Sequence, residues 1–236
     1  MRILLIGYGK MGKVIEAIAR NRNHTIAGII DPVSGMTFDF QTPVDVAIEF
    51  TVPESASANI KLCLDHNIPV LSGTTGWLQH KKEIDTYCIS KQGTFFYASN
   101  YSMGVNIFFK LNEKLAQMMS GQPEYQVHID ETHHTQKKDA PSGTAITLAE
   151  GIIKNNLTKK QWVKNETQLP GDLVIQSFRE DPVPGTHVVT YASPTDDIEI
   201  KHTAHSRQGF AHGAVLVAEW LPQQKGVLGM DHFLKF

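Results

Sequence analysis

The stretch from Arg2 to Asp31 leaves few folds open. Arg2–Ile6 is a short apolar run, and Gly7-Tyr8-Gly9-Lys10-Met11-Gly12 follows it as a GxGxxG. Beyond the glycines, Met11, Val14, Ile15, Ile18 and Ala19 recur at helical spacing, and Thr25–Ile30 forms a second strand-like run that ends at Asp31. Strand, glycine turn, helix, strand and terminal acid within about 30 residues are what a dinucleotide-binding βαβ unit requires. A GxGxxG alone is a weak signal; the flanking elements and the acid make it specific. Gly7 is expected to make the tight turn, Gly9 to let a pyrophosphate approach the backbone, and Gly12 to let helix and strand pack closely. Asp31 would accept hydrogen bonds from the adenosine ribose hydroxyls and repel a 2′-phosphate. Pro32 stands where an arginine would favour NADPH, so the reading leans to NADH, with Lys10 or Lys13 able to offset the repulsion.

The βα rhythm continues. Pro32–Pro43 reads as a connector, Asp45–Phe50 as a strand, and Pro53 suits the first turn of a helix running to about His66. Pro69–Leu71 is another strand, with the small-residue loop Ser72-Gly73-Thr74-Thr75-Gly76 at its end. Ligands of open α/β sheets bind outside the carboxyl ends of strands. Phe50, Thr51, Gly73, Thr74 and Thr75 are therefore candidates to line the nicotinamide half of a cofactor. Gln79–Ser90 reads as a helix and Thr94–Ala98 as a strand, followed by the loop Ser99-Asn100-Tyr101-Ser102 and a helix over Met103–Met118.

There the alternation stops. Residues 1–103 form the expected dinucleotide-binding domain, and 104–207 a substrate-binding and oligomerisation domain. Its strands are expected at Tyr125–Ile129, Asp172–Arg179, Gly185–Ala192 and Ile198–Thr203, with a helix from Ala145. These predict an α+β domain with an open, mostly antiparallel mixed sheet. A final helix, Gly209–Leu221, has a small and apolar face suited to packing on the first domain, so 208–236 is expected to rejoin it.

With a net charge of −2 there is no electrostatic pull toward nucleic acid or anionic membrane. No apolar run of about 18 residues predicts a membrane span, and the start MRILLIGYG is too soon interrupted by glycine for a signal peptide. Cys63 and Cys88 form no CxxC and read as buried thiols of a reducing compartment. The expectation is a soluble cytoplasmic protein.

The stretch His128–Ala145, HIDETHHTQKKDAPSGTA, concentrates acid–base groups just upstream of a helix start. His133 is a natural proton donor, because its reference pKa of about 6.5 allows exchange at neutral pH. Lys137, four residues on, can protonate the substrate or stabilise nitrogen-centred charge. His134 and Ser142-Gly143-Thr144 offer donors for carboxylates, as do the first N–H groups of the helix. Ser142, Thr144 or Asp139 could instead cap that helix. No HExxH occurs, and adjacent histidines seldom ligate one ion together, so no metal is expected.

These residues resemble the dihydrodipicolinate reductase family over nearly the whole chain. The likeness rests on Gly7–Gly12, Glu49-Phe-Thr51 with Pro53-Glu54, Ser72–Gly76, Ala98-Ser-Asn-Tyr-Ser-Met-Gly-Val-Asn106 and, above all, Glu131-Thr-His-His-Thr-Gln-Lys-Lys-Asp-Ala-Pro-Ser-Gly-Thr144. The resemblance implies a Rossmann cofactor domain and an α/β domain whose open sheet builds a homotetramer. It also implies NAD(P)H-dependent reduction of a cyclic imine dicarboxylate in lysine and diaminopimelate biosynthesis. His133 matches the catalytic acid/base, and Lys137 a proton donor. His134, Gly143 and Thr144 match groups that bind the substrate carboxylates. Gly7–Gly12, Asp31, Gly73–Thr75 and Ala98, Ser99, Asn100 and Tyr101 match cofactor contacts, and Arg207 an arginine near the site. The chain departs from the family in being shorter around 32–43 and 155–185, and in lacking an arginine beside Asp31. Two other classes would share parts of the pattern. Another amino-acid dehydrogenase of similar build has no need of the histidine–lysine constellation, and a non-catalytic dinucleotide-sensing module would leave it without a task.

Overall fold

The computed structural model describes residues 1–31, 33–167, 169–206 and 208–236. Pro32 and Arg207 lie outside the described residues. The chain divides into two compact units, Met1–Ser102 with Gln208–Phe236, and Met103–Arg207.

The first unit opens with β1 (Arg2–Ile6), α1 (Lys10–Asn21), β2 (Thr25–Ile30), β3 (Val46–Glu49), α2 (Pro53–Asp65), β4 (Val70–Ser72), α3 (Lys81–Ser90) and β5 (Thr94–Tyr97). Ile3–Ile6, Val46–Ile48 and Val70–Leu71 are buried on both faces, which is why their sequences are unbroken apolar runs rather than alternations. α2 carries Pro53 in its first turn, where its missing N–H costs nothing. Cys63 and Cys88 are buried free thiols in the core under the sheet, beside Ile60, Trp77 and Phe95.

The second unit contains α4 (Met103–Met119), β6 (Gln126–His133), α5 (Gly143–Asn155), β7 (Gln161–Lys164), β8 (Asp172–Arg179), β9 (Gly185–Ala192) and β10 (Asp197–Ala204). Its sheet runs in the order β10-β9-β6-β8-β7. β9 is antiparallel to both β10 and β6, whereas β8 is parallel to both β6 and β7. The sheet is therefore evenly mixed rather than mostly antiparallel. The difference comes from β7, a half-buried edge strand of the segment 155–171, where the sequence shows no strand-like alternation. Along β6, Val127, Ile129, Glu131 and His133 are buried while the residues between them are more exposed, the period of two that defines one face of a strand. That face packs on α4 and α5 through Phe108, Ala116, Leu148 and Ile152. Asn112 ties the two helices by donating to the Leu148 carbonyl at 2.9 Å.

The chain then returns to the first unit with α6 (Gln208–Trp220), β11 (Gly226–Leu228) and α7 (Met230–Leu234). β11 extends the sheet beyond β5, giving the order β11-β5-β4-β3-β1-β2 with neighbours parallel throughout. Periodicity does not find β11, because three residues are too few to display one. No helix among the described residues is long and apolar enough to cross a membrane.

Candidate active site

β1 lies between β2 and β3, so the strand order reverses at its carboxyl end. Ligands of open parallel sheets bind in the crevice outside such a point. A cleft of about 350 Å³ opens there, lined by Gly7, Tyr8, Gly9, Asp31, Phe50 and Thr51 among the sequence candidates, and by Val33, Val52, Ser55 and Asn59, which the sequence did not single out. Gly7 has φ +93°, and a Cβ there would sit 2.0 Å from the Phe50 carbonyl oxygen; at Gly12 it would sit 2.3 Å from the Gly7 carbonyl oxygen. A Cβ on Gly9 would meet none of the described atoms within 4 Å. The turn is thus closed against the sheet and open on its outer side. α1 begins at exposed Lys10 and half-buried Met11 without a side-chain cap, so its first N–H groups are left for an anion. Asp31 accepts from Ser34 Oγ at 2.5 Å at the end of β2. These features fit a dinucleotide.

The loops beyond β3 and β4 are held by a carboxylate. Glu49 is fully buried and accepts from Thr51 N at 3.1 Å, Thr74 Oγ1 at 2.8 Å, Ser72 Oγ at 2.5 Å and the Thr51 hydroxyl. Thr74 is therefore engaged inward instead of offering its hydroxyl to a ligand. Tyr101 is buried too, donating to the Ser72 carbonyl at 2.7 Å with its ring against Phe50. Both side chains are props of the loop rather than exposed donors. Gly73 lies against the Phe50 ring, Ala98 is buried, and Thr75 and Ser99 are exposed. Asn100 accepts from Ser102 N at 2.8 Å.

In the second unit, register assembles a polar cluster on the helix-facing side of the sheet. Glu131 on β6 is paired with Ser177 on β8 and His187 on β9. One step further along β6, His133 is paired with Arg179 and lies against Gly185, where a Cβ would come within 3.0 Å of its Nε2. His133 Nδ1 is 2.6 Å from Glu131 Oε2, and Arg179 Nη2 donates to Glu131 Oε1 at 3.1 Å. Glu131 is fully buried, which raises its pKa, but its contacts with His133, Ser177 and Ser142 outweigh burial and bring it down to about 2. His187 is driven the other way by burial and then by neighbouring His133, to about 3, so this imidazole is neutral.

Ser142 is the N-cap of α5: its Oγ accepts from Ala145 N at 3.2 Å and lies 3.0 Å from His187 Nε2. Of the capping residues open in the sequence, Ser142 takes the role, and its buried hydroxyl is thereby turned away from any ligand. Gly143 is exposed and Thr144 half-buried at the first turn, where backbone N–H groups lack intrahelical acceptors. Lys137 Nζ donates to both carboxylate oxygens of Asp139, at 2.9 and 2.8 Å. His134 lines a separate cleft of about 300 Å³ with Gln136, Asp181 and Ser206. His133, Lys137 and the start of α5 thus belong to one loop-and-strand assembly, with His134 on its neighbouring cleft.

Glu131, His133 and His187 bring three ligand-type atoms within 4.8 Å of one another. Two of the three are already engaged, since Arg179 holds the carboxylate and Ser142 meets His187 Nε2. A permanent guanidinium at the carboxylate opposes a second cation there. Glu131 was legible in principle, two residues before His133 on the same strand face. Arg179, Gly185 and His187 were not, because they join only through cross-strand register.

The comparisons with known proteins agree along the chain. The family model described as dihydrodipicolinate reductase, N-terminus, matches residues 1–101, and the C-terminus model matches 104–234. The chain belongs to the dihydrodipicolinate reductase family. A 4-hydroxy-tetrahydrodipicolinate reductase of Christiangramia forsetii is 50% identical over 236 residues, covering 99% of this chain and 98% of that one. Its counterpart in Methanococcoides burtonii is 36% identical over 95% of this chain and 85% of its own. A solved dipicolinate-bound dihydrodipicolinate reductase from Paenisporosarcina sp. TG-14 shares the fold, with TM-score 0.77, 22% identity and 98% of each chain covered. As a dihydrodipicolinate reductase family member, the chain is an oxidoreductase that uses a nicotinamide dinucleotide. The cleft at Gly7–Gly9 is the part of the fold whose geometry suits that group.

Proposed function

We propose that this chain reduces 4-hydroxy-tetrahydrodipicolinate, or its dehydrated form, to tetrahydrodipicolinate in lysine and diaminopimelate biosynthesis. When bound, the nicotinamide supplies hydride to ring C4 and one proton is consumed; one water leaves when the 4-hydroxy compound is the substrate, and none when it is the dehydrated form. The observation that carries this reading is the buried His133–Glu131 pair standing beside the start of α5, an acid next to an anion site within one unit.

The residues divide the work. His133 gives the proton. Lys137, steadied by Asp139, places a fixed positive charge where nitrogen-centred charge develops. Gly143 and Thr144 hold a carboxylate with the N–H groups at the start of α5, and His134 holds the other. Ser142 contributes by capping that helix. In the first unit, Gly7, Tyr8, Gly9, Lys10, Met11 and Gly12 receive the pyrophosphate, and Asp31 receives the adenosine ribose. Phe50, Thr51 and the loops Gly73–Thr75 and Ala98–Tyr101 shape the nicotinamide end. Residues 1–103 with 208–236 act as the cofactor domain, and 104–207 as the substrate domain.

The carboxylate of Asp31 favours NADH over NADPH. Cytoplasmic location and homotetrameric assembly belong to the same reading. The buried free thiols Cys63 and Cys88 support the first. The test is initial rates with NADH and with NADPH, using substrate generated in situ by the preceding synthase. Turnover with either is expected; none with both would overturn the assignment.

A further inference from the structure

We infer that Glu131 is a positioning residue for His133, fixing which ring nitrogen transfers the proton, with Arg179 as its anchor. This rests on the reading of His133 as the acid. The two strand neighbours stand two residues apart on β6, so both point to the same buried face. His133 Nδ1 lies 2.6 Å from Glu131 Oε2, and among the described residues neither atom has another hydrogen-bond partner. An ionised carboxylate only accepts, so the nitrogen facing it is the one that keeps its proton. The ring N–H lies off the line to the oxygen, and the broad terminal torsion of a histidine lets a small rotation align it. That leaves Nε2 as the nitrogen that gives up a proton.

The opposite edge of the ring is kept clear for this. Gly185 on β9 faces Nε2 and Cδ2, and any Cβ there would stand 3.0 and 3.2 Å from them. Arg179 holds the other carboxylate oxygen, so Glu131 cannot swing both oxygens away from the ring. The same guanidinium donates to the Asp139 carbonyl at 2.7 Å and the Lys137 carbonyl at 3.3 Å. One side chain thereby ties the partner of the acid to the backbone of the loop that carries Lys137. Neither Glu131 nor Arg179 needs to touch substrate to do this.

The experiment is ¹⁵N NMR of the full chain labelled at histidine, with His133→Gln assigning the His133 signals, alongside steady-state kinetics of Glu131→Gln and Glu131→Asp. In the neutral ring we expect Nδ1–H with bare Nε2 in the native chain, and loss of that tautomer preference in Glu131→Gln. We also expect kcat of Glu131→Gln to fall about ten- to a hundredfold, the usual cost of losing an orienting partner, with KM values unchanged and partial recovery in Glu131→Asp. An Nε2–H tautomer in the native chain would overturn the inference, and so would a Glu131→Gln variant with native tautomer and kcat. Should Glu131→Gln not fold, the native spectrum and Glu131→Asp decide. An Nδ1–H ring in a chain that turns over no dicarboxylate would uphold the positioning and sink the proposed reaction, so the two failures are distinct.

Discussion

Ser142 Oγ lies 3.0 Å from His187 Nε2 while it accepts the Ala145 N–H, so the cap of α5 and a buried imidazole share one hydroxyl. The arrangement places a buried histidine directly behind the first turn of the helix. His187 Nδ1 has no hydrogen-bond partner among the described residues. A charged ring there would leave an N–H without an acceptor, and its burial outweighs the attraction of Glu131.

The pH dependence of stability follows. Burial, reinforced by His133, lowers the folded-state pKa of His187 to about 3, below its ordinary value of 6.5. The unfolded chain therefore binds the proton that the folded chain refuses. Stability from this group is complete above pH 6.5 and is lost as pH falls toward 3, at up to about 1.4 kcal/mol per pH unit. Urea unfolding of the native chain and His187→Gln across that range should give a shallower decline in the variant; parallel declines would refute the linkage.

His133→Ala should lower kcat by about 10²–10⁴, the range for loss of a general acid, while the cofactor dissociation constant stays near its native value. Stopped-flow rates and cofactor fluorescence titration separate the two, and native kcat would contradict the role.

Gly185→Ala is backbone-compatible but puts a methyl 3.0 Å from His133 Nε2. The ring must shift, and a small misplacement of a reacting group should cost about tenfold in kcat. Thermal unfolding and kcat measured on one preparation test this; native kcat with native Tm would mean that Nε2 is not the working atom.

Glu49→Ala removes the acceptor for donors on Ser72, Thr51 and Thr74. Ser72 and Thr74 are the buried donors left stranded, since Thr51 N keeps Thr74 Oγ1 as an acceptor; at about 1–3 kcal/mol each, denaturant unfolding should show a loss of at least about 2 kcal/mol. Cofactor affinity should fall with it, whereas Glu49→Gln, which keeps one acceptor, should lose less of both. Equal effects from the two substitutions would contradict this account.

Asp31→Ala should raise kcat/KM with NADPH relative to NADH by about tenfold, since a unit charge a few ångströms from a phosphate is worth about 1–4 kcal/mol. Parallel progress curves with the two dinucleotides measure the ratio, and an unchanged ratio would show that Asp31 does not discriminate.

Much of the first unit could be read directly, because strand, glycine turn, helix, strand and terminal acid follow one another within about 30 residues. The segment Glu131–Thr144 also stood out, since its acids, histidines and lysines are concentrated in nearly consecutive residues. What stayed hidden depends on distant pairing. β11 gains its place only by hydrogen bonding to β5, and β7 only by pairing with β8. Arg179, Gly185 and His187 gain theirs only once β8 and β9 flank β6 in register. Thr74, Tyr101 and Ser142 show the converse limit. Residue type advertises a hydroxyl, but burial decides whether it is spent on the scaffold.

The late return of the chain to its first sheet has a consequence for synthesis. β11 pairs with Thr94–Phe96 and Thr94 Oγ1 donates to the Gln224 carbonyl, yet the entire second unit is translated between them. While the ribosome makes residues 103–207, β5 is a bare edge and the partners of Glu219, Arg22 and His24, wait uncovered. An unpaired parallel edge is the surface on which nascent chains aggregate. The inserted unit, whose sheet is internally complete, can finish first, so the residues that close the first sheet are made only after it.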